Sequence, residues 1–166
     1  MTPPRGESRR TLEATRPNTL LGKRAIRMGT WNLGTMDETG KLYQVEAEMK
    51  AYNLALLGIS ETRWTQCSRK KLNSGELLLY SGHEDEDSPH TQGVALMLSK
   101  AAQKVLIGWA AHGPRIITAS FHTKERRINM NVIQCYAPTN DSEEEVKDQF
   151  YNRLQSVIDK IGRAHV

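Results

Sequence analysis

The chain has little of what builds a stapled or membrane-spanning protein. Its 166 residues hold two cysteines, Cys67 and Cys135, far apart in sequence. A disulfide framework is excluded on that count, and a reducing intracellular compartment, nuclear or cytoplasmic, is expected. No apolar run reaches the length of a membrane span, and no apolar stretch follows the charged N-terminus as a signal peptide requires. No membrane partner is therefore expected. Apolar residues make up 38%, a low share to which the polar N-terminus contributes. The five histidines are His83, His90, His112, His122 and His165, and none directly follows an aspartate. His165 belongs to the tail, and the other four read as exposed loop or strand residues.

What is present suffices for one domain with a core. The net charge of +4 has a single source, because residues 1–24 hold Arg5, Arg9, Arg10, Arg16, Lys23 and Arg24 against Glu7 and Glu13. The remaining 17 basic and 17 acidic residues cancel. Pro3, Pro4, Gly6, Pro17 and Gly22 punctuate the same segment, which reads as a disordered basic leader. A solvated tail is its plain role; contact with DNA or a nuclear signal is the alternative.

From about residue 25 the chain reads as a folded body without internal repeats. A first strand covers about 25–32. Asp37-Glu38 opens a helix to about Tyr52, with Leu42, Val45, Met49 and Tyr52 on one face. A buried strand over 54–60 completes a β-α-β unit. Glu76 to Tyr80 and Gly93 to Leu98 read as strands around an acidic turn, Glu84-Asp85-Glu86-Asp87. Residues 104–109 and 115–121 read as strands, and Lys124-Glu125-Arg126-Arg127 as the hairpin turn before a strand from Ile128 to Tyr136. Trp109 and Phe121 are expected in the core. From Ser142 an acid-led helix carries Val146, Phe150, Leu154, Val157, Ile158 and Ile161 as its apolar stripe. The order predicts a mixed α/β sandwich.

The chemistry-bearing residues stand at strand ends. Asn32 closes Ile26-Arg27-Met28-Gly29-Thr30-Trp31-Asn32, and Glu61 follows the apolar run 54–59. In open α/β sheets that edge is where ligands bind. Hydrolysing a phosphodiester needs a hard cation, donors that hold the phosphate, and an activated water. Glu61 can supply a carboxylate to Mg²⁺, which favours few carboxylates and retained water. Asn32 can donate its amide to a phosphate oxygen, and Tyr136, before a proline turn, its hydroxyl. Taken singly, each has a plainer reading: a turn residue for Asn32, a capping residue for Glu61, a core aromatic for Tyr136. Basic residues offer weaker candidates for phosphate contact: Arg69, Lys70 and Lys71 after Trp64, then Lys124, Arg126 and Arg127, and Arg115 at a strand start. Most such clusters are solvated turns.

In order and approximate spacing, the Trp31-Asn32 pair, the Ser60-Glu61-Thr62-Arg63 segment and Tyr136-Ala137-Pro138 resemble the endonuclease/exonuclease/phosphatase superfamily, the family of DNase I and the abasic-site endonucleases. Gly58 to Trp64 (GISETRW), His90 to Lys100 (HTQGVALMLSK) and Asn131 to Asn140 (NVIQCYAPTN) narrow the likeness to the endonuclease domains of non-LTR retrotransposons and the craniofacial development protein 2-like proteins. The resemblance covers about Ile26 to Lys160. It implies a four-layer α/β sandwich with mixed, mostly antiparallel sheets, of which this chain matches the N-terminal half. It implies catalysis by Asn32, Glu61 and Tyr136, a Mg²⁺ or Mn²⁺ ion at Glu61 with Asn32, and substrate phosphate at Tyr136 and Thr139. DNA is the implied partner, nicked to prime reverse transcription, with a reverse transcriptase domain in the parent protein.

Two positions depart from the abasic-site enzymes: Gly34 where they carry an aspartate, and Thr139 where they carry a phosphate-contacting asparagine. The family's Gly-Asp-x-Asn and Asp-His motifs are missing from this chain. Its last six residues, 161–166, match an in-frame reading of a sequencing-adapter string, so a non-native tail is expected there. The expectation is a fragment of a Mg²⁺-dependent DNA endonuclease, inactive alone. The alternatives are a phosphatase-type member of the superfamily, or a non-catalytic domesticated fragment with weak or no DNA binding.

Overall fold

Unbroken apolar stretches such as Leu77 to Leu79 and Val94 to Leu98 suit strands covered on both faces, and that requirement sets the architecture. The computed structural model describes residues 12–14, 26–34, 38–84, 91–125 and 127–164. Its strands are β1 (Leu12–Ala14), β2 (Arg27–Asn32), β3 (Leu56–Ser60), β4 (Cys67–Lys71), β5 (Leu77–Ser81), β6 (Val94–Leu98), β7 (Leu106–Ala111), β8 (Ile116–His122) and β9 (Asn129–Cys135). Its helices are α1 (Glu38–Ala51), α2 (Lys100–Lys104) and α3 (Glu144–Ala164).

Two sheets result. One has six strands in the order β1-β2-β3-β6-β5-β4; the other has three, β7-β8-β9. Only β2 and β3 run parallel, as the β2-α1-β3 crossover demands, and all other pairs are antiparallel. Alternation along the central strands sorts side chains onto two faces. Leu56, Leu79, Leu96 and Leu98 meet Ile117, Ala119 and Phe121 of the second sheet. Leu57, Ile59, Leu78 and Met97 face the other way, onto Val45 and Met49 of α1. A third cluster joins Ile116 and Ile133 to Phe150, Leu154, Val157 and Ile161 of α3. The layers are therefore α1, six-stranded sheet, three-stranded sheet and α3, an α/β sandwich of four layers. Burying each such Leu, Ile or Phe contributes about 1.5–3 kcal/mol.

Several expectations change. Arg69, Lys70 and Lys71, read as a basic loop, lie on the exposed edge strand β4. Their periodicity is invisible because both faces of an edge strand beyond the covering helix can stay polar. Part of the leader, Leu12–Ala14, pairs antiparallel with β2 instead of being unstructured; the rest of residues 1–24 lies outside the described residues. A short helix, α2, capped by Ser99 Oγ accepting from Ala102 N, precedes the strand read as 104–109 and moves it to 106–111. α3 runs on through Ala164 and Ile161 packs on its cluster, so the boundary set at 160 is not a break in the fold. Phe121 is buried and Trp109 packs against the first cluster, as expected. His83 and His112 are half-buried rather than exposed, while His122 is exposed. Asp37, Asp85, Glu86, Asp87, His90, Arg126, His165 and Val166 lie outside the described residues. Among those described, no helix is long and apolar enough to cross a membrane.

Candidate active site

Three strand ends converge at one edge of the sandwich. Asn32 is the last residue of β2 and lies in register with Ser60, the last of β3. Glu61 follows at once. Tyr136 follows β9, which ends before Ala137-Pro138 because proline cannot donate to a ladder. The start of β8 ties the two sheets together here: Tyr136 N donates to Arg115 O at 2.9 Å, and Gly93 N donates to Pro114 O at 2.9 Å.

Glu61 does not continue the strand. Its φ of +56° is left-handed, uncommon for a residue with a side chain. The turn is held from the neighbouring strand, with Thr62 N donating to Gly93 O at 3.3 Å and Arg63 N to Gln92 O at 2.7 Å. This kink aims the Glu61 carboxylate across to the second sheet, where the Tyr136 hydroxyl donates to Glu61 Oε1. The hydrogen bond to Glu61, then burial and the carboxylate's charge, raise the Tyr136 pKa above its ordinary 10.0, against the pull of Arg115 and Arg63. Arg115 clamps the same tyrosine twice: Nη1 donates to its carbonyl at 2.8 Å, and the guanidinium carbon lies 5.2 Å from the ring centroid. Partial burial lowers the Arg115 pKa, while Tyr136 raises it.

The structure thus brings together Glu61, Tyr136 and Arg115, with Asn32, exposed, on the adjoining strand end. Thr139 is exposed and pairs with Ser142, Oγ1 to Oγ at 3.2 Å, in the turn that leads into α3. Arg69, Lys70 and Lys71 are not part of the cluster. Lys71 stands level with Leu77, Leu98 and Leu56, while Cys67 is the strand's residue level with Ser81, Val94 and Ser60. Lys71 is therefore about 13 Å down the strands and about 14 Å across them from the Glu61 end. Its ammonium instead donates to Gln103 Oε1. Sequence reasoning passed over Arg63 and Gly93, although both fall inside the quoted GISETRW and HTQGVALMLSK segments.

Among the described residues no group of three or more His, Cys, Asp or Glu could enclose a metal ion. One carboxylate whose second oxygen has no hydrogen-bond partner among the described residues, beside an exposed amide, suits the sparse, water-retaining coordination of Mg²⁺. It does not suit a closed structural zinc site.

No family model matches the chain. Over 132 residues, 80% of its length, it is 37% identical to craniofacial development protein 2 of Bos taurus. It is also 37% identical over 132 residues to craniofacial development protein 2 of Tragulus javanicus. The chain spans 21% and 22% of the lengths of these two relatives, about a fifth. The likeness to craniofacial development protein 2-like proteins read from the sequence is thereby borne out.

Proposed function

We propose that this chain carries the phosphate-holding side of a Mg²⁺-dependent phosphodiesterase site that nicks DNA, of the endonuclease/exonuclease/phosphatase kind. The observation that carries the reading is the Glu61–Tyr136 hydrogen bond, which joins the ends of two sheets and is flanked by two arginines. A carboxylate buried for stability alone has no need of a left-handed kink that costs about 1–3 kcal/mol. Here the kink places Glu61 at the strand edge, half-exposed, with a donor hydroxyl and a guanidinium beside it.

Glu61 would hold the cation with Asn32 next to it. The chemistry such an ion supplies when bound is screening of the phosphodiester and stabilisation of the leaving oxygen. The Tyr136 hydroxyl, which donates its one proton to Glu61 here, would turn that proton to a phosphate oxygen once Glu61 holds the cation. Arg115 orients Tyr136 and adds positive charge towards the phosphate. Among the described residues, the charged groups besides Glu61 that act on Tyr136 are Arg115 and Arg63, neither of which accepts a proton. Among the described residues of this cluster none is a water-activating base, and the chain by itself is expected to bind without cleaving. The test is relaxation of supercoiled plasmid, in Mg²⁺ and in EDTA, by a complete parent domain, beside a phosphate-release assay on a phosphomonoester. Glu61→Ala should cut nicking by about a hundredfold or more, the scale of a lost electrostatic stabiliser. Unchanged nicking by a folded Glu61→Ala domain would refute the role of Glu61. Phosphate release without nicking would move the site to the phosphatase branch.

A further inference from the structure

A groove between the loop at 112–115 and α3 is absorbed by none of the above. On α3, Gln149, Asn152, Arg153, Ser156 and Lys160 recur at intervals of three, one, three and four, which puts them on one side of a helix. All five line two cavities of about 470 and 490 Å³ that meet at His112, Asn152 and Arg153. Each of these five side chains carries N–H or O–H donors, and none carries a carboxylate. Arg153 lies down on the loop: Nη1 donates to His112 O at 3.4 Å, and a Cβ at Gly113, whose φ is +85°, would stand 2.8 Å from that nitrogen.

Along the two cavities Arg115, Arg153 and Lys160 face one lining carboxylate, Glu84. Among the described residues the one ion pair, Lys147 with Glu144 at 3.5 Å, sits in the first turns of α3. Glu84 is the single carboxylate lining the second cavity. Burial, then Lys160, then Arg153 hold the His112 pKa below its ordinary 6.5. Its Nε2 lies 3.1 Å from Thr118 Oγ1. Three cations to one carboxylate along a concave wall leave an excess of positive charge, which favours a polyanion. Arg115 lines the first cavity and also packs over the Tyr136 ring, so the groove is continuous with the candidate site.

We propose that this groove binds the phosphodiester backbone of DNA leading away from the Glu61–Tyr136 pair, with Arg153 and Lys160 each meeting a phosphate. The proposal rests on the nucleic-acid reading above but not on cleavage. The test uses the full chain in EDTA and a fluorescently labelled DNA duplex, with anisotropy followed over a range of salt concentrations. Arg153 and Lys160 are exposed, so replacing them leaves the core intact. Arg153→Gln with Lys160→Gln should make the slope of log K against log salt shallower by about 1.8, since each lost phosphate contact removes about 0.9. Lys70→Gln with Lys71→Gln, on the far edge strand, should leave the slope unchanged. In the unaltered chain, the His112 ring titration followed by NMR should move to higher pH when duplex is added. Equal slopes for the two double variants, or a His112 that ignores the duplex, overturn the proposal. So does inorganic phosphate moving His112 as far as duplex at the same phosphate concentration, which would make the groove a simple anion site. A parent domain that nicks DNA but whose groove variant binds as wild type sinks the groove alone. Binding through the groove without nicking supports the groove and sinks only the cleavage reading.

Discussion

Gly93→Ala is the change that probes the candidate site most directly without touching it. Gly93 has a φ of +97°, and a Cβ built there would stand 2.2 Å from Thr62 Oγ1 and 2.9 Å from Arg63 N. Two costs add. An L-residue forced to positive φ loses roughly 1–2 kcal/mol, and overpacking against a turn that cannot move freely costs about 1–3 kcal/mol. The Arg63 amide cannot retreat, because it already donates to Gln92 O at 2.7 Å. The expected loss is about 2–5 kcal/mol, or roughly 4–20 °C in thermal midpoint for a domain of this size. Gly108→Ala is the control: nothing lies within 4 Å of its Cβ position. It should stay within about 0.5 kcal/mol of the parent. Chemical and thermal unfolding of both variants measure the difference. A double-mutant cycle with Thr62→Ala should recover about 1 kcal/mol, because the nearer of the two clashes is with the Thr62 side chain. If Gly93→Ala and Gly108→Ala unfold together, the account of how the 61–63 turn is held is wrong.

Three further outcomes follow from the same geometry. Thr62→Val should stabilise the chain by up to about 1 kcal/mol, because Thr62 Oγ1 is buried with no hydrogen-bond partner among the described residues; a clear loss in urea unfolding would show a partner. Tyr136 has a raised pKa in the fold, so its contribution to stability is complete below the ordinary pKa of 10.0 and fades as pH rises through the folded value. Glu61→Ala removes the main cause and should bring the tyrosinate transition of Tyr136, followed by ultraviolet difference titration, back towards 10.0. Deleting residues 1–24 removes β1 and bares the outer edge of β2. That should cost about 1–3 kcal/mol at roughly 1 kcal/mol per ladder hydrogen bond, and flatten the salt dependence of any DNA binding. An unchanged melting curve would show that the Leu12–Ala14 pairing contributes nothing.

Much was legible in the chain because local physics decided it. The apolar faces of α1 and α3 follow from helical spacing, and Val45, Met49, Phe150 and Val157 are buried as that spacing requires, whereas Val146 and Ile158, read into the same stripe of α3, are exposed at its margins. An apolar run marked β3 as a buried strand and β patterns marked β5 and β6 as strands, though it took the fold to cover all three on both faces. The positions of Asn32, Glu61 and Tyr136 at strand ends were readable too, since a polar residue after an apolar run is where a strand leaves the core. β4 was not legible, because Cys67 to Lys71 carries no period-two apolar signal and becomes a strand only by pairing with β5. β1 was hidden for the same reason, a three-residue strand that exists through its ladder to β2.

Within the candidate site, sequence alone determined which chemical groups are available and at which strand ends they stand. It could not determine which of them meet. Glu61 and Tyr136 are 75 residues apart, and their hydrogen bond depends on the left-handed turn at Glu61 and on the packing of one sheet over the other. Nor could it separate Arg115, which clamps Tyr136, from Lys71, which lies at the opposite end of the sheet and bonds Gln103 instead. Charge and residue type are local properties and survive in a string of letters. Register, sheet order and the facing of two layers are sums over many distant contacts, and only the folded chain adds them up.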